Sequence, residues 1–363
     1  MLSTRRLITV LALAAALTAM TGTTAAEAHP SPRHPVTTLA TFVNGPCADD
    51  ICSSGSTVGP DGALYVADET AGRVQRVDPE RGTVTTFADG LPRSIPGVVG
   101  GGIADIVFRG GTAYILVTGV NAFFTELVGS PRTPAADGVY RLDRVGPGTT
   151  RATLVADLYA WSVAHPPLNS DYFVPGGYTY AMQNYKRGFL VTDAHHNRVL
   201  QVGLTGAVSV FKDFNSDIVP TGMDRVGRTV VVAQAGPVPH LPSTGRVVAL
   251  RRPSGKAVVL ATGAPLLVDV EVAHHTLYGL AQGFWPYAGQ SGKEGYPAAP
   301  RTGLLMRADR NGHFQPLVSG LDRPTTFEII GDNAYVITIT GKVIKIGGLH
   351  HHAHHSRTSP ARS

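Results

Sequence analysis

The chain has 363 residues, 43% hydrophobic and only 16% charged, with 42 glycines and two cysteines. High glycine with few helix-forming runs disfavours a helical protein and points to an all-β body. The formal charge of +5 overstates the basicity of that body, because Arg5, Arg6, Arg357 and Arg362 sit in terminal segments; with no basic cluster or aromatic stacking motif, nucleic-acid binding is disfavoured.

Arg5 and Arg6 precede an apolar run over residues 7–20, and Ala26-Glu27-Ala28 supplies a small-x-small cleavage site. Residues 1–28 therefore read as a signal peptide, and the protein is expected to be secreted, extracellular, with His29 as mature N-terminus. The export route stays open between general secretion and the twin-arginine route hinted at by Thr4-Arg5-Arg6-Leu7. No stretch is long enough for a membrane span. Cys47 and Cys52 flank four residues; in an oxidising compartment they are expected to form a local disulfide that shapes the start of the first full repeat.

From there a short motif recurs six times. Its clearest copy is Gly59-Pro60-Asp61-Gly62-Ala63-Leu64-Tyr65-Val66-Ala67-Asp68, followed by Gly72-Arg73-Val74-Gln75-Arg76-Val77. Pro-Asp-Gly is turn chemistry, and the alternating runs on either side are half-buried strands. A small sheet of this kind cannot bury its own face, so the copies must stack. Later repeats begin near residues 102, 178, 220, 267 and 324. A polar insertion over residues 119–138 and a long one over 284–301 interrupt the second and fifth, and residues 158–175 are expected to start as a helix and end as a loop broken by Pro166 and Pro167. The last repeat ends at Ile346 without an outer strand, which residues 37–43 can supply. The predicted fold is a six-bladed β-propeller over residues 29–348, closed by an N-terminal strand in the last blade. Residues 349–363, with His350, His351, His352, His354 and His355, read as a disordered His-rich tail with adventitious metal affinity.

Several junctions occur in a specific order: Gly59 through Asp68, Gly101-Gly102-Ile103-Ala104-Asp105, Asp193 with His195-His196-Asn197-Arg198-Val199, Pro220-Thr221-Gly222, and Gly320-Leu321-Asp322-Arg323-Pro324-Thr325. In that order they resemble the ScyD/ScyE family of secreted propellers with NHL-like repeats, over roughly residues 39–346. The resemblance implies the fold and no assigned catalytic residue. The chain departs from the family at the junction into the third repeat, where Gly176-Gly177-Tyr178-Thr179-Tyr180 and Gln183-Asn184-Tyr185 stand, and at the first junction, which carries the cysteines.

Chemistry in such a fold sits where innermost strands line a channel. Asp105 and Asp269 occupy one slot on those strands, and Glu271 lies two residues beyond on the same face. Carboxylates there suit a divalent cation, with Asn184 or Gln234 as amide ligands, or acid–base work; the commoner use of such a slot, and the one favoured here, is capping of a neighbouring strand's amides. Aromatic residues gather in the long connections, among them Trp161, Tyr172, Phe173, Tyr178, Tyr180, Phe284, Trp285, Tyr287 and Tyr296, and would suit an apolar ligand if the loops converge. Turn histidines His195 and His196 are expected on a solvated loop. No nucleophile elbow, HExxH run or phosphate loop occurs. The expected function is therefore a monomeric, non-enzymatic binding module for a small molecule or extracellular protein. The alternative is a metal-assisted hydrolase of the gluconolactonase-like lactonase type.

Overall fold

The computed structural model describes residues 34–43, 51–146, 149–167, 173–253 and 255–349. Cys47, Tyr172, the signal segment 1–28 and His350, His351, His352, His354 and His355 of the tail lie outside the described residues.

Among the described residues, twenty-four strands form six four-stranded antiparallel sheets, so the protein is a six-bladed β-propeller. Blade 1 takes Ser56–Val58, Leu64–Asp68, Arg73–Val77 and Val84–Ala88, and blades 2 to 5 repeat that up-and-down order. The first strands of successive blades pack against one another in order, and Ser56–Val58 of blade 1 also packs against Pro324–Ile330 of blade 6. Blade 6 has Pro324–Ile330, Asn333–Thr338 and Lys342–Ile346 from the end of the chain, and its fourth strand is Val36–Thr41. That pairing aligns Val36 with Ile346 and Thr41 with Lys342.

The middle strands are continuous runs of β-branched and aliphatic residues because both faces are covered by neighbouring blades. Leu64–Asp68 and Gly188–Asp193 are buried at every position. Outer strands alternate or are exposed; Val258, Val259 and Leu260 are 51%, 50% and 38% exposed.

Each inner strand of blades 2 to 6 slips register near its start, for example between Ile103 and Asp105 and between Leu267 and Asp269. A bulge re-aims the side chain that follows it. It also brings successive inner strands so close that small residues are needed: a Cβ at Gly55 would strike the Asp105 backbone, and one at Gly222 the Asp269 carboxylate. The Pro-Thr-Gly junction thus leaves room for the next blade's aspartate.

Two helices depart from the blades. Leu158–Ala164 is the helix expected after blade 2, capped by Asp157 accepting from the Ala160 amide. The insertion over residues 119–138, expected as polar loop, instead contains a helix, Ala122–Leu127, capped by Asn121 and burying Phe124. Asp137 anchors it, accepting from the amides of Gly119 and Val120 and from Asn121 Nδ2 at 2.8–2.9 Å. Burial outweighs those bonds and pushes the Asp137 carboxyl to about 7.

Candidate functional site

The loops converge on a cavity of about 780 Å³. Phe124, Leu127 and Val128 reach it from the first helix, Phe173 and Tyr178 from the connection into blade 3, and Tyr296 from the blade 5 insertion. Tyr180, at the start of the blade 3 inner strand, lines this cavity and also the narrower channel of about 180 Å³ between the inner strands. Its hydroxyl is pushed far up by burial, then by the charges of Asp269, Glu69 and Asp105.

One wall is the turn His195-His196-Asn197, held by a buried ion network. The Asp193 carboxylate accepts from Arg198 Nε at 3.0 Å and from the amides of Tyr178 and His196 at 3.1 and 3.2 Å, and lies 3.1 Å from His196 Nδ1. Burial raises the Asp193 pKa, but the His196 hydrogen bond and the His196 and Arg198 charges hold it below the ordinary Asp range. Arg198, 1% exposed, also donates to the His165 carbonyl and Ser162 Oγ at 2.8 Å, tying the second helix to the turn. Asp68, at the same repeat position, makes the plainer turn bonds, accepting from Thr70 Oγ1 and the Ala71 amide at 3.2 Å.

The histidines therefore do not sit on a solvated loop. His196 is 2% exposed, and both rings line the cavity because a turn, unlike an extended strand, lets adjacent side chains share a face. Val174 N–H donates to His195 Nε2 at 3.3 Å, and Phe173 meets the ring edge-on. Burial, then the His196 charge, pushes His195 down to about 4, so its imidazole is neutral near pH 7.

In the channel, the structure places Asp105, Asp269, Glu271 and Asn184 together. The aspartates are engaged between blades. Asp105 accepts from the Met182 amide of blade 3 at 2.6 Å and from its neighbour Ile106. Asp269 accepts from Thr326 Oγ1 and the Phe327 amide of blade 6 at 2.8 and 2.9 Å, and from Val270. Asp224 reaches from blade 4 to the Val272 amide of blade 5 in the same way. Asn184 runs the other direction, donating to the Phe108 carbonyl of blade 2 at 2.8 Å. Burial pushes Asp105 well up and Asp269 to about 7.

Glu328 is the channel residue that sequence reasoning missed. It stands two residues beyond Thr326, as Glu271 stands beyond Asp269, so aligning the repeats would have found it. Ser56 Oγ donates to its Oε1 at 3.2 Å. Burial raises both Glu271 and Glu328 well above the carboxylate range; the next cause is Glu328's charge for Glu271, and Asp269's for Glu328.

Gln234, Trp161, Trp285, Phe284 and Tyr287 fall outside both spaces. Gln234 is fully buried on the second strand of blade 4, accepting from Arg246 Nε at 2.6 Å. Trp161 lies against the Arg198 guanidinium and stacks on His165. Trp285 pins the blade 5 insertion, donating from Nε1 to the Tyr296 carbonyl at 3.0 Å. Phe284, 63% exposed, does not line the cavity either. Phe124 and His240 line it unforeseen, since the helix carrying Phe124 was hidden in a segment read as polar loop.

Among the described residues, no three His, Cys, Asp or Glu side chains are grouped to hold a metal ion. The carboxylates of Asp105 and Asp269 are turned to backbone amides instead of converging on one point, so this set does not fit the cation site expected of a lactonase.

Fold and site together define a six-bladed propeller with a ligand-sized cavity on the face where its loops converge. No family model matches the chain, and no curated protein matches it. Solved structures match the fold: a gluconolactonase of Xanthomonas campestris (11% identity, 86% of this chain and 89% of that one, TM-score 0.54). A Bacteroides thetaiotaomicron protein of unknown function (11%, 86% and 76%, 0.55) and the PQQ-bound aldose sugar dehydrogenase of Streptomyces coelicolor (13%, 88% and 99%, 0.50) are also similar. At such identities the likeness is one of fold.

Proposed function

We propose that the protein is a secreted, ScyD/ScyE-like propeller that binds a small molecule in the cavity of its loop-bearing face without turning it over. The observation that carries this reading is the cavity itself: about 780 Å³, lined by aromatic and aliphatic side chains together with polar and acidic ones, the form a small-molecule site takes. Propeller folds host unrelated activities, so the reading rests on the site and not on the neighbours' names. The lactonase alternative asks Asp105 and Asp269 to serve a cation with carboxylates already aimed at the amides that join their blades.

Thermal-shift screening of apolar aromatic compounds against the full chain tests the reading. Hits should lose their effect in Val128→Trp, which narrows the cavity from the first helix, while the variant melts like the parent. Hits that survive Val128→Trp, or stoichiometric binding of a divalent ion by a chain truncated after Leu349 together with lactone hydrolysis, would favour the alternative.

A further inference from the structure

The cavity carries a charge pattern unlike the rest of the chain. The sequence has 31 Lys and Arg against 26 Asp and Glu, yet no lysine or arginine occurs among the described residues lining the cavity, while Glu69, Asp213, Asp217 and Glu294 all do. Of the lining histidines, burial holds His195 near 4 and lowers His240 as well, and His196 Nδ1 lies 3.1 Å from the Asp193 carboxylate. Arg198, behind the wall, is matched by Asp193. Lys293, between the lining residues Gly292 and Glu294, is folded over the Tyr296 ring at 4.1 Å from its centroid. One aromatic face at this rim thus already holds an ammonium.

The remaining wall presents what a cation with an apolar body needs. Phe124, Phe173, Tyr178 and Tyr180 bring aromatic side chains to the space, and the face of such a ring attracts an ammonium more strongly where water is excluded. Thr179, 5% exposed, lines the cavity, and its buried hydroxyl just behind that wall has no hydrogen-bond partner among the described residues. A buried hydroxyl left unsatisfied is costly, and a ligand N–H would satisfy it. An anion entering here would be desolvated beside these carboxylates with no lysine or arginine among the described lining residues to receive it.

We propose that the cavity takes an organic cation, an amine or quaternary ammonium on an apolar aromatic body, with Thr179 accepting an N–H and the carboxylates supplying the opposite charge. This rests on the cavity being the binding site. The test is isothermal titration of the full chain with four ligands sharing one body: naphthylmethylamine, naphthylmethyl-trimethylammonium, naphthylmethanol and naphthoate.

Both cations should bind about tenfold or more tighter than the alcohol, with naphthoate weakest. Asp217→Asn combined with Glu294→Gln should erode that preference and leave the alcohol unchanged. Thr179→Val should weaken the primary amine and spare the quaternary ion, which has no N–H. Binding of the alcohol or naphthoate as tight as the amines, and abolished by Val128→Trp, overturns the cation assignment while leaving the cavity as the binding site. Binding of none of the four overturns both.

Discussion

Replacing Asp193 by alanine removes the centre of the network that builds the cavity wall. Arg198 would keep the His165 carbonyl, Ser162 Oγ and His196 Nδ1 as neighbours, with its guanidinium buried and its carboxylate counter-charge gone. Removing one partner of a buried ion pair costs about 3–5 kcal/mol, because the other charge stays behind. The amides of Tyr178 and His196 also lose an acceptor, at about 1 kcal/mol each in typical cases. Asp193→Ala should therefore destabilise by at least about 3 kcal/mol. Arg198→Met should rescue part of that loss, since both charges are then absent, giving a coupling of about 1–3 kcal/mol in a double-mutant cycle. Guanidinium unfolding of the full chain, followed by fluorescence, measures all three variants. Additive losses, or a single-variant cost below about 1 kcal/mol, would refute the reasoning and reduce the network to a solvated turn. The pH dependence has a definite sign. The folded-state pKa of Asp193 is depressed, so its contribution is present above the ordinary Asp range and is lost as pH falls through it.

Deleting residues 36–43 should destabilise the domain and expose the edge of Lys342–Ile346, with which Val36–Thr41 pairs; size-exclusion chromatography should then show association, whereas truncation after Leu349 should cause none. Melting and elution like the parent after the N-terminal deletion would show that this pairing does not hold the ring. Asp269 and Asp137, pushed to about 7 by burial, take up protons in the folded state at higher pH than in the unfolded chain. Between about 7 and the ordinary Asp range they should make the fold more stable as pH falls, so the melting temperature should rise from about pH 8 to about pH 5. Asp269→Asn should flatten that rise; an unchanged slope would mean that Asp269 stays ionised throughout.

The repeat was legible because blade architecture is written locally. Pro60-Asp61-Gly62, the alternation of residues 73–77 and the missing outer strand after Ile346 each follow from turn chemistry and period-two burial. Asp105 and Asp269 share one repeat slot, with Glu271 two residues beyond, and all three line the channel between the inner strands. What those carboxylates do was decided by tertiary structure. Whether Asp269 meets a cation or the Phe327 amide depends on the spacing of adjacent blades, which Gly222 and the inner-strand bulges set across more than forty residues of chain. The aromatic residues show the limit most clearly. By composition Trp161 and Trp285 suit a ligand platform and the pinning of a long loop alike; in the fold Trp161 lies against Arg198 and Trp285 bonds the Tyr296 carbonyl of its own insertion. Phe124 and Thr179 became cavity wall because separate connections fold over one face. A sequence specifies which side chains a loop carries; which way they face is settled only when that loop packs against others distant in the chain.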